Sequence, residues 1–153
     1  MSVLTQLGMM NLKLGRNEIA KRVLQSAGRI EEEYKEAIPM YELSAGLSAV
    51  IMKEGGRNSA AHAADMVEGL AVEILRDPPT DESHIIPMEL YLICLQVKRH
   101  AYDDRLGRLI ERTRQELMFR SGKISDPMLR ASFLQIPEHQ AIINYNESVK
   151  SED

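Results

Sequence analysis

The stretch LGMMNLKLGRNEIAKRVLQSA, residues 7–27, decides the fold. Gly8 follows Leu7, a second glycine stands at Gly15, and Ala20, Leu24 and Ala27 follow at helical spacing. Gly15-Arg16-Asn17 is a helix–turn–helix joint in sequence form. Glycine accepts the left-handed backbone that ends one helix, and Asn is suited to cap the next. The tripeptide recurs at residues 56–58. Outward from these joints, apolar residues recur at intervals of three and four. Val3, Leu4, Leu7, Met10 and Leu14 form one stripe, and Ile19, Val23, Leu24, Ala27 and Ile30 another. A third runs through Tyr91, Cys94, Leu95 and Lys98 and on to Leu106, Leu109, Ile110, Thr113 and Leu117. No stretch alternates at period two for long enough to make a strand. The chain has no Trp, two Phe and nine Met, a balance that favours helix over sheet. The expected class is all-α.

Three proline-bearing segments punctuate the pattern: AIPMY (37–41), RDPPTDESHIIP (76–87) and GKISDP (122–127). Proline lacks a backbone donor and turns the preceding residue away from helix. Between these breaks lie helix–turn–helix units, with turns at 15–17, at Gly55-Gly56-Arg57-Asn58 and at Tyr102-Asp103-Asp104. The spacing is 41 residues from Gly15 to Gly56 and 46 from Asn58 to Asp104, an internal repeat with variable joints. The expected helices number about seven. Hairpins fall at about 2–34, 38–75 and 86–121, and a C-terminal capping helix at about 126–147 begins near Asp126 or Pro127.

Bulk composition narrows the function classes. The chain has 153 residues, one domain's length, with 44% apolar and 27% charged residues. A net charge of −4 gives no reason to expect direct nucleic-acid binding, which needs a basic face. No apolar run approaches the about 18–20 residues of a membrane span, and the N-terminus has no signal-peptide pattern. One cysteine, Cys94, cannot form an internal disulfide, so a cytoplasmic setting is expected.

The small residues have the pattern of the tetratricopeptide repeat, in which two antiparallel helices carry a large residue and Leu-Gly in the first and Ala…Ala in the second. Leu4, Leu7, Gly8, Gly15, Ala20, Leu24 and Ala27 resemble that motif in register. The resemblance implies that Gly8 and Ala20 sit where two helices touch, that Ala27 does so where the next hairpin docks, and that Leu4, Leu7 and Leu24 fill the remaining volume. In the second unit either Ala49 and Ala61 or, shifted by three, Ala64 and Ala71 take the small positions. In the third, Tyr91 is the large residue and Gly107 the small one. ISDPMLRASFLQIPEHQAII (124–143) resembles the closing helices of bacterial tetratricopeptide regions that trail signalling ATPases, cyclases and transcription activators. The resemblance covers roughly residues 1–145.

What it implies is a right-handed superhelix forming a single domain over 1–153. Such a domain is a non-catalytic module that binds a peptide or protein partner on a concave face, within the regulatory part of a larger bacterial signalling or transcription protein. The concave positions would be Thr5, Met9 and Leu12, then Gly46, Val50 and Lys53, then Leu92, Gln96 and Arg99. The Lys/Asn carboxylate clamp of some family members is missing there, and an amphipathic or extended partner of acidic character would suit the surface. Phe133 and Leu134 are expected to close the last hairpin. Val3, Leu4 and Leu7 at an uncapped end are expected to promote a homodimer. The alternative function is an all-helical sensor of a small-molecule effector.

Candidate chemistry is sparse. His100 and Asp104 have i, i+4 spacing but span a turn, so a surface or capping role is expected. His62, among alanines, reads as a partly buried, hydrogen-bonded residue. EEEY at 31–34 reads as a solvated face, Cys94 as a core thiol and RLGRLIERTR (105–114) as an exposed helix face. Met9, Met10, Met40 and Met52 read as core and groove lining. There is no phosphate loop, dinucleotide turn, zinc spacing or catalytic triad order, so no enzyme, cofactor or metal is expected.

Overall fold

The computed structural model describes residues 3–34, 41–76 and 86–146, without the side chains of 31–34. The joints at 37–40 and 77–85, Met40, His84, the EEEY side chains and residue 147 at the end of the expected cap lie outside the described residues. Among those residues all regular structure is helical, and no helix is long and apolar enough to cross a membrane. The helices are α1 (Val3–Lys13), α2 (Asn17–Tyr34), α3 (Tyr41–Glu54), α4 (Ser59–Met66), α5 (Glu68–Leu75), α6 (Met88–His100), α7 (Leu106–Gly122), α8 (Pro127–Leu134) and α9 (Pro137–Ile143).

That makes nine among the described residues where about seven were expected, and both extra breaks have local causes. Between α4 and α5, Val67 leaves helical geometry at φ −96°, ψ 8°, its N–H shared between the Ala63 and Asp65 carbonyls. Between α8 and α9, Ile136 is driven extended, φ −56° and ψ 132°, by the proline that follows it. The chain divides into two compact units, Met1–Gly69 and Leu70–Asp153.

In the first unit α1 packs on α2 and α3, and α3 packs on α2 and α4. The Gly15 turn closes as the sequence suggests: Gly15 has φ 72°, its N–H donates to Leu12 O at 3.0 Å, and Arg16 N donates to Asn11 O at 2.9 Å. The Asn residues do not cap as expected. Asn58 makes no side-chain cap bond, and Asn17 Oδ1 has no hydrogen-bond partner. The core is built around Leu24, which is fully buried together with Ala20 and Ala27. A methyl group placed on Gly8 would come within 2.5 Å of Leu24 Cγ and Cδ2, and one on Gly46 within 3.0 Å of Leu24 Cδ1 and Met9 Sδ. Two glycines on different helices thus leave the space that one leucine fills. Of the two sets of small residues in the second hairpin, Ala64 and Ala71 are buried, whereas Ala49 is half-buried and Ala61 exposed.

In the second unit α6 packs on α7, and α9 packs on both. Leu90, Cys94, Leu95, Leu109, Leu117 and Ile142 form its dry centre. The α6–α7 turn repeats the α1–α2 turn without a glycine. Tyr102 holds φ 53°, and Asp103 N donates to Lys98 O at 3.0 Å. A left-handed tyrosine costs roughly 1–2 kcal/mol. Asp103 offsets it. Its Oδ1 accepts from Arg105 N and Nε at 2.9 and 3.0 Å, and its Oδ2 lies 2.7 Å from Arg105 and 3.3 Å from Lys98 Nζ. The Arg105 guanidinium hydrogen bonds hold the Asp103 carboxyl well below the usual carboxylate range.

Two predictions follow from this packing. Gly8→Ala gains about 1 kcal/mol of helix propensity but overpacks against a leucine already wedged by Gly46, for a net loss of about 1–2 kcal/mol. At Gly69, where the new methyl would stand 3.7 Å from Tyr41 Cε1, the same change should be neutral or stabilising. Thermal melts of the two variants check the contrast. Asp103→Asn removes the carboxylate that Arg105 and the buried Lys98 share and should cost about 3 kcal/mol at neutral pH. Because the folded carboxyl titrates below its unfolded value, that stabilisation is complete above the unfolded value near pH 4 and disappears as pH falls. The gap between wild type and variant in urea melts should therefore shrink from pH 7 to pH 3.

Candidate docking surfaces

The positions expected to line a concave face are mostly core. Thr5, Met9, Leu12 and Val50 in the first unit and Leu92 in the second are buried, as is Gly46. The reason is helical phase. Thr5, Gly8, Met9 and Leu12 share the face of α1 that meets Leu24 and Gly46, so the face assigned to a ligand is spent on folding. Lys53 is exposed, and its Nζ donates to Leu12 O at 3.3 Å. Gln96 is exposed. Arg99 is half-buried, its guanidinium 5.2 Å above the Tyr145 ring.

Other apolar surfaces are left open among the described residues. In the first unit Val3, Leu7, Met10 and Leu14 are 79, 44, 60 and 61% exposed on the side of α1 away from its packed face. Val3 and Leu7 lie open, as expected of an apolar end, while Leu7's expected place between the helices and Met10's in the core are not taken up. The signal was in the sequence, because α1 is apolar on both sides and only one side can pack inward. In the second unit Met118 and Phe119 near the end of α7 are more than half exposed, and Lys123 Nζ sits 4.5 Å from the Phe119 ring centroid.

The second unit's other open surface is α8, which buries none of its residues. It is nonetheless firmly built. Asp126 accepts from Met128 N and Leu129 N at 2.8 and 3.0 Å, and Pro127 occupies the first helical turn. Arg130 donates twice to Ile124 O, at 2.9 and 2.7 Å. Gln140 reaches back to Leu134 O at 2.7 Å, and His139 Nδ1 lies 2.6 Å from Phe133 O. Polar bonds to backbone hold the helix, while Met128 and Leu129 remain 80 and 63% exposed.

The C-terminal cap is therefore not Phe133 and Leu134, both only half-buried, but α9. Ile142 is fully buried on α6 and α7, and His139 is buried beside the Phe133 ring, centroids 4.3 Å apart. The arginines of 105–114 also do more than decorate a surface. Arg112 donates to Arg76 O at 2.9 Å, and Arg114 to the Ile142 and Tyr145 carbonyls. Beside them a groove of about 510 Å³ runs along α7 from Gly107 to Met118, closed on its other side by Tyr145 and Asn146.

Among the described residues the histidines and the cysteine stand apart from one another. His62 is exposed, not packed among the alanines, and exposed His100 places Nδ1 2.8 Å from Gln96 O. Cys94 is buried, and burial pushes the Tyr91 and Tyr145 phenols up. Among the described residues no three His, Cys, Asp or Glu side chains group as a metal site would require. If α9 is the cap, Ile142→Ala should cost about 2–5 kcal/mol and Phe133→Ala less than half of that, measured by chemical denaturation. Compared with models of known families, with curated proteins and with solved structures, the chain finds no match.

Proposed function

We propose that this chain is a helical-hairpin module of tetratricopeptide type that binds a protein partner, with α8 and the adjoining end of α7 as its docking surface. The observation that carries the reading is α8 itself. An eight-residue helix capped by Asp126 and tied by Arg130 keeps its shape with none of its residues fully buried, and Met128 and Leu129 stand in solvent. Ordered apolar residues that serve no part of their own fold are what an interaction site presents. The resemblance of the Gly8, Ala20, Leu24 and Ala27 pattern is what supports the repeat assignment, together with the burial of Ala20, Leu24 and Ala27 and the approach of Gly8 to Leu24.

Charge selects the partner. Residues 106–130 carry six cations (Arg108, Arg112, Arg114, Arg120, Lys123, Arg130) against three anions (Glu111, Glu116, Asp126), within a chain of net charge −4. A partner helix with apolar residues flanked by acids complements both features. The groove beside α7 favours a second reading, an effector-binding site. It has one carboxylate, Glu111, and one guanidinium, Arg114, whose donors already serve carbonyls.

The test is a pair of amphipathic helical peptide libraries, alike in apolar residues and flanked by Asp/Glu in one and Lys/Arg in the other. Acid-flanked peptides should bind in fluorescence polarisation. Met128→Glu with Leu129→Glu should weaken them about tenfold or more, as losing central apolar anchors does. The variant's melting temperature should hardly move, because both side chains are exposed. Equal binding of both libraries, or undiminished binding by the variant, overturns the reading.

A further inference from the structure

The six cations of residues 106–130 differ in where they point. Arg112, Arg114, Arg120 and Arg130 turn their donors toward backbone carbonyls of their own unit. Arg120 also pairs with Glu116 at 2.6 Å. These four add positive charge to the region, but the fold fixes their direction. Arg108 is exposed and stands eleven residues before Phe119, on the order of 16 Å away along α7. At physiological salt that distance exceeds the screening length of about 8 Å.

Lys123 is placed differently. Its ammonium sits 4.5 Å from the centroid of the Phe119 ring, and both residues are exposed. The two are one helical turn apart, so α7 itself sets the pair. Lys123 also stands where α7 gives way to α8. Its N–H donates to Arg120 O at 3.2 Å, and the carbonyl of the next residue, Ile124, accepts both bonds from Arg130 of α8. The lysine backbone is thus fixed on both sides, between the aromatic residue of α7 and the exposed Met128 and Leu129 of α8. A ring face attracts a cation through its quadrupole and restrains a side chain that would otherwise sample many rotamers. A charge restrained in advance loses less entropy on pairing with a partner's carboxylate.

We propose that Lys123 is the specificity-determining residue of the docking surface. Its ammonium pairs with one Asp or Glu of a partner helix, while Phe119, Met128 and Leu129 receive that helix's apolar anchors. This role rests on α8 and the end of α7 being the docking surface, and it narrows the partner. One acid three or four residues from an apolar anchor repeats the spacing of Phe119 and Lys123, and acids elsewhere on the partner contribute only through the general field.

The test is a set of double-mutant cycles. The tightest-binding peptide of the acid-flanked library has each flanking acid replaced in turn by its amide. Each version is titrated against wild type and Lys123→Gln by fluorescence polarisation. At one acid, the protein change and the peptide change should each weaken binding about three- to fivefold, and the two together no more than either alone. The loss should fade as salt is raised to 1 M, where the screening length is about 3 Å, whereas a loss from altered folding would persist. Lys123→Arg should keep the coupling, since guanidinium also sits over aromatic rings. Arg108→Gln, the same change of charge at the other end of α7, should couple to no acid. If Lys123→Gln lowers the circular dichroism melt, Phe119→Leu serves in its place. It keeps an apolar anchor and removes the ring, and the coupling should fall by half or more. Additive losses at every acid, or coupling to Arg108 instead, overturn the role of Lys123 and leave the docking reading standing. Acid-flanked peptides that fail to bind wild type overturn both.

Discussion

The placement of Leu24 between Gly8 and Gly46 is the contact on which the first unit depends. One side chain, fully buried, is seated by two glycines that come from helices on either side of it. The consequence is geometric before it is energetic. Without Cβ atoms at 8 and 46, α1 and α3 approach α2 closely enough for Ala20 and Ala27 to lose all contact with water. That approach orients α1. Thr5, Met9 and Leu12 turn inward, Val3, Leu7, Met10 and Leu14 turn outward, and the surface chemistry of the unit is settled by a packing decision in its core.

The second unit is held by a different device. Its core is also aliphatic, but its chain segments are fastened by arginine. Arg112, Arg114 and Arg120 of α7 donate to carbonyls of Arg76, Ile142, Tyr145 and Ile86, which ties α5, the segment before α6 and the end of α9 to one helix. Guanidinium suits this work because its planar donors can satisfy several orphaned carbonyls at once. The arrangement also explains why a region rich in arginine has little free donor capacity at the groove beside α7, while the net positive charge of that helix remains.

The all-α class, the Gly15 turn and the start of α8 at Asp126–Pro127 were legible in the sequence. Those features are local: periodicity, a left-handed glycine and a proline each act within a turn of chain. The exposed faces were harder to read. Val3, Leu7, Met10 and Leu14 have the spacing of a buried stripe, and only the Gly8–Leu24 contact, made across helices, reveals that the other side of α1 goes inward. Phe133 shows the same limit. An aromatic residue near the C-terminus looks like a plug, but the Ile136–Pro137 break carries α9 over the core, and Ile142 takes that place. Nothing in the residue types of RLGRLIERTR distinguishes an arginine that reaches a carbonyl from one that reaches water.

The two hairpin turns, alike in hydrogen bonding, differ in how the unfolded chain meets them. At Gly15 the left-handed conformation is among those the chain samples readily. At Tyr102 it carries a cost of roughly 1–2 kcal/mol, so the disordered chain visits it about ten times less often. The α1–α2 turn therefore stands on its glycine alone, whereas the α6–α7 turn leans on Asp103, whose contacts with Lys98 and Arg105 offset the cost of a left-handed tyrosine.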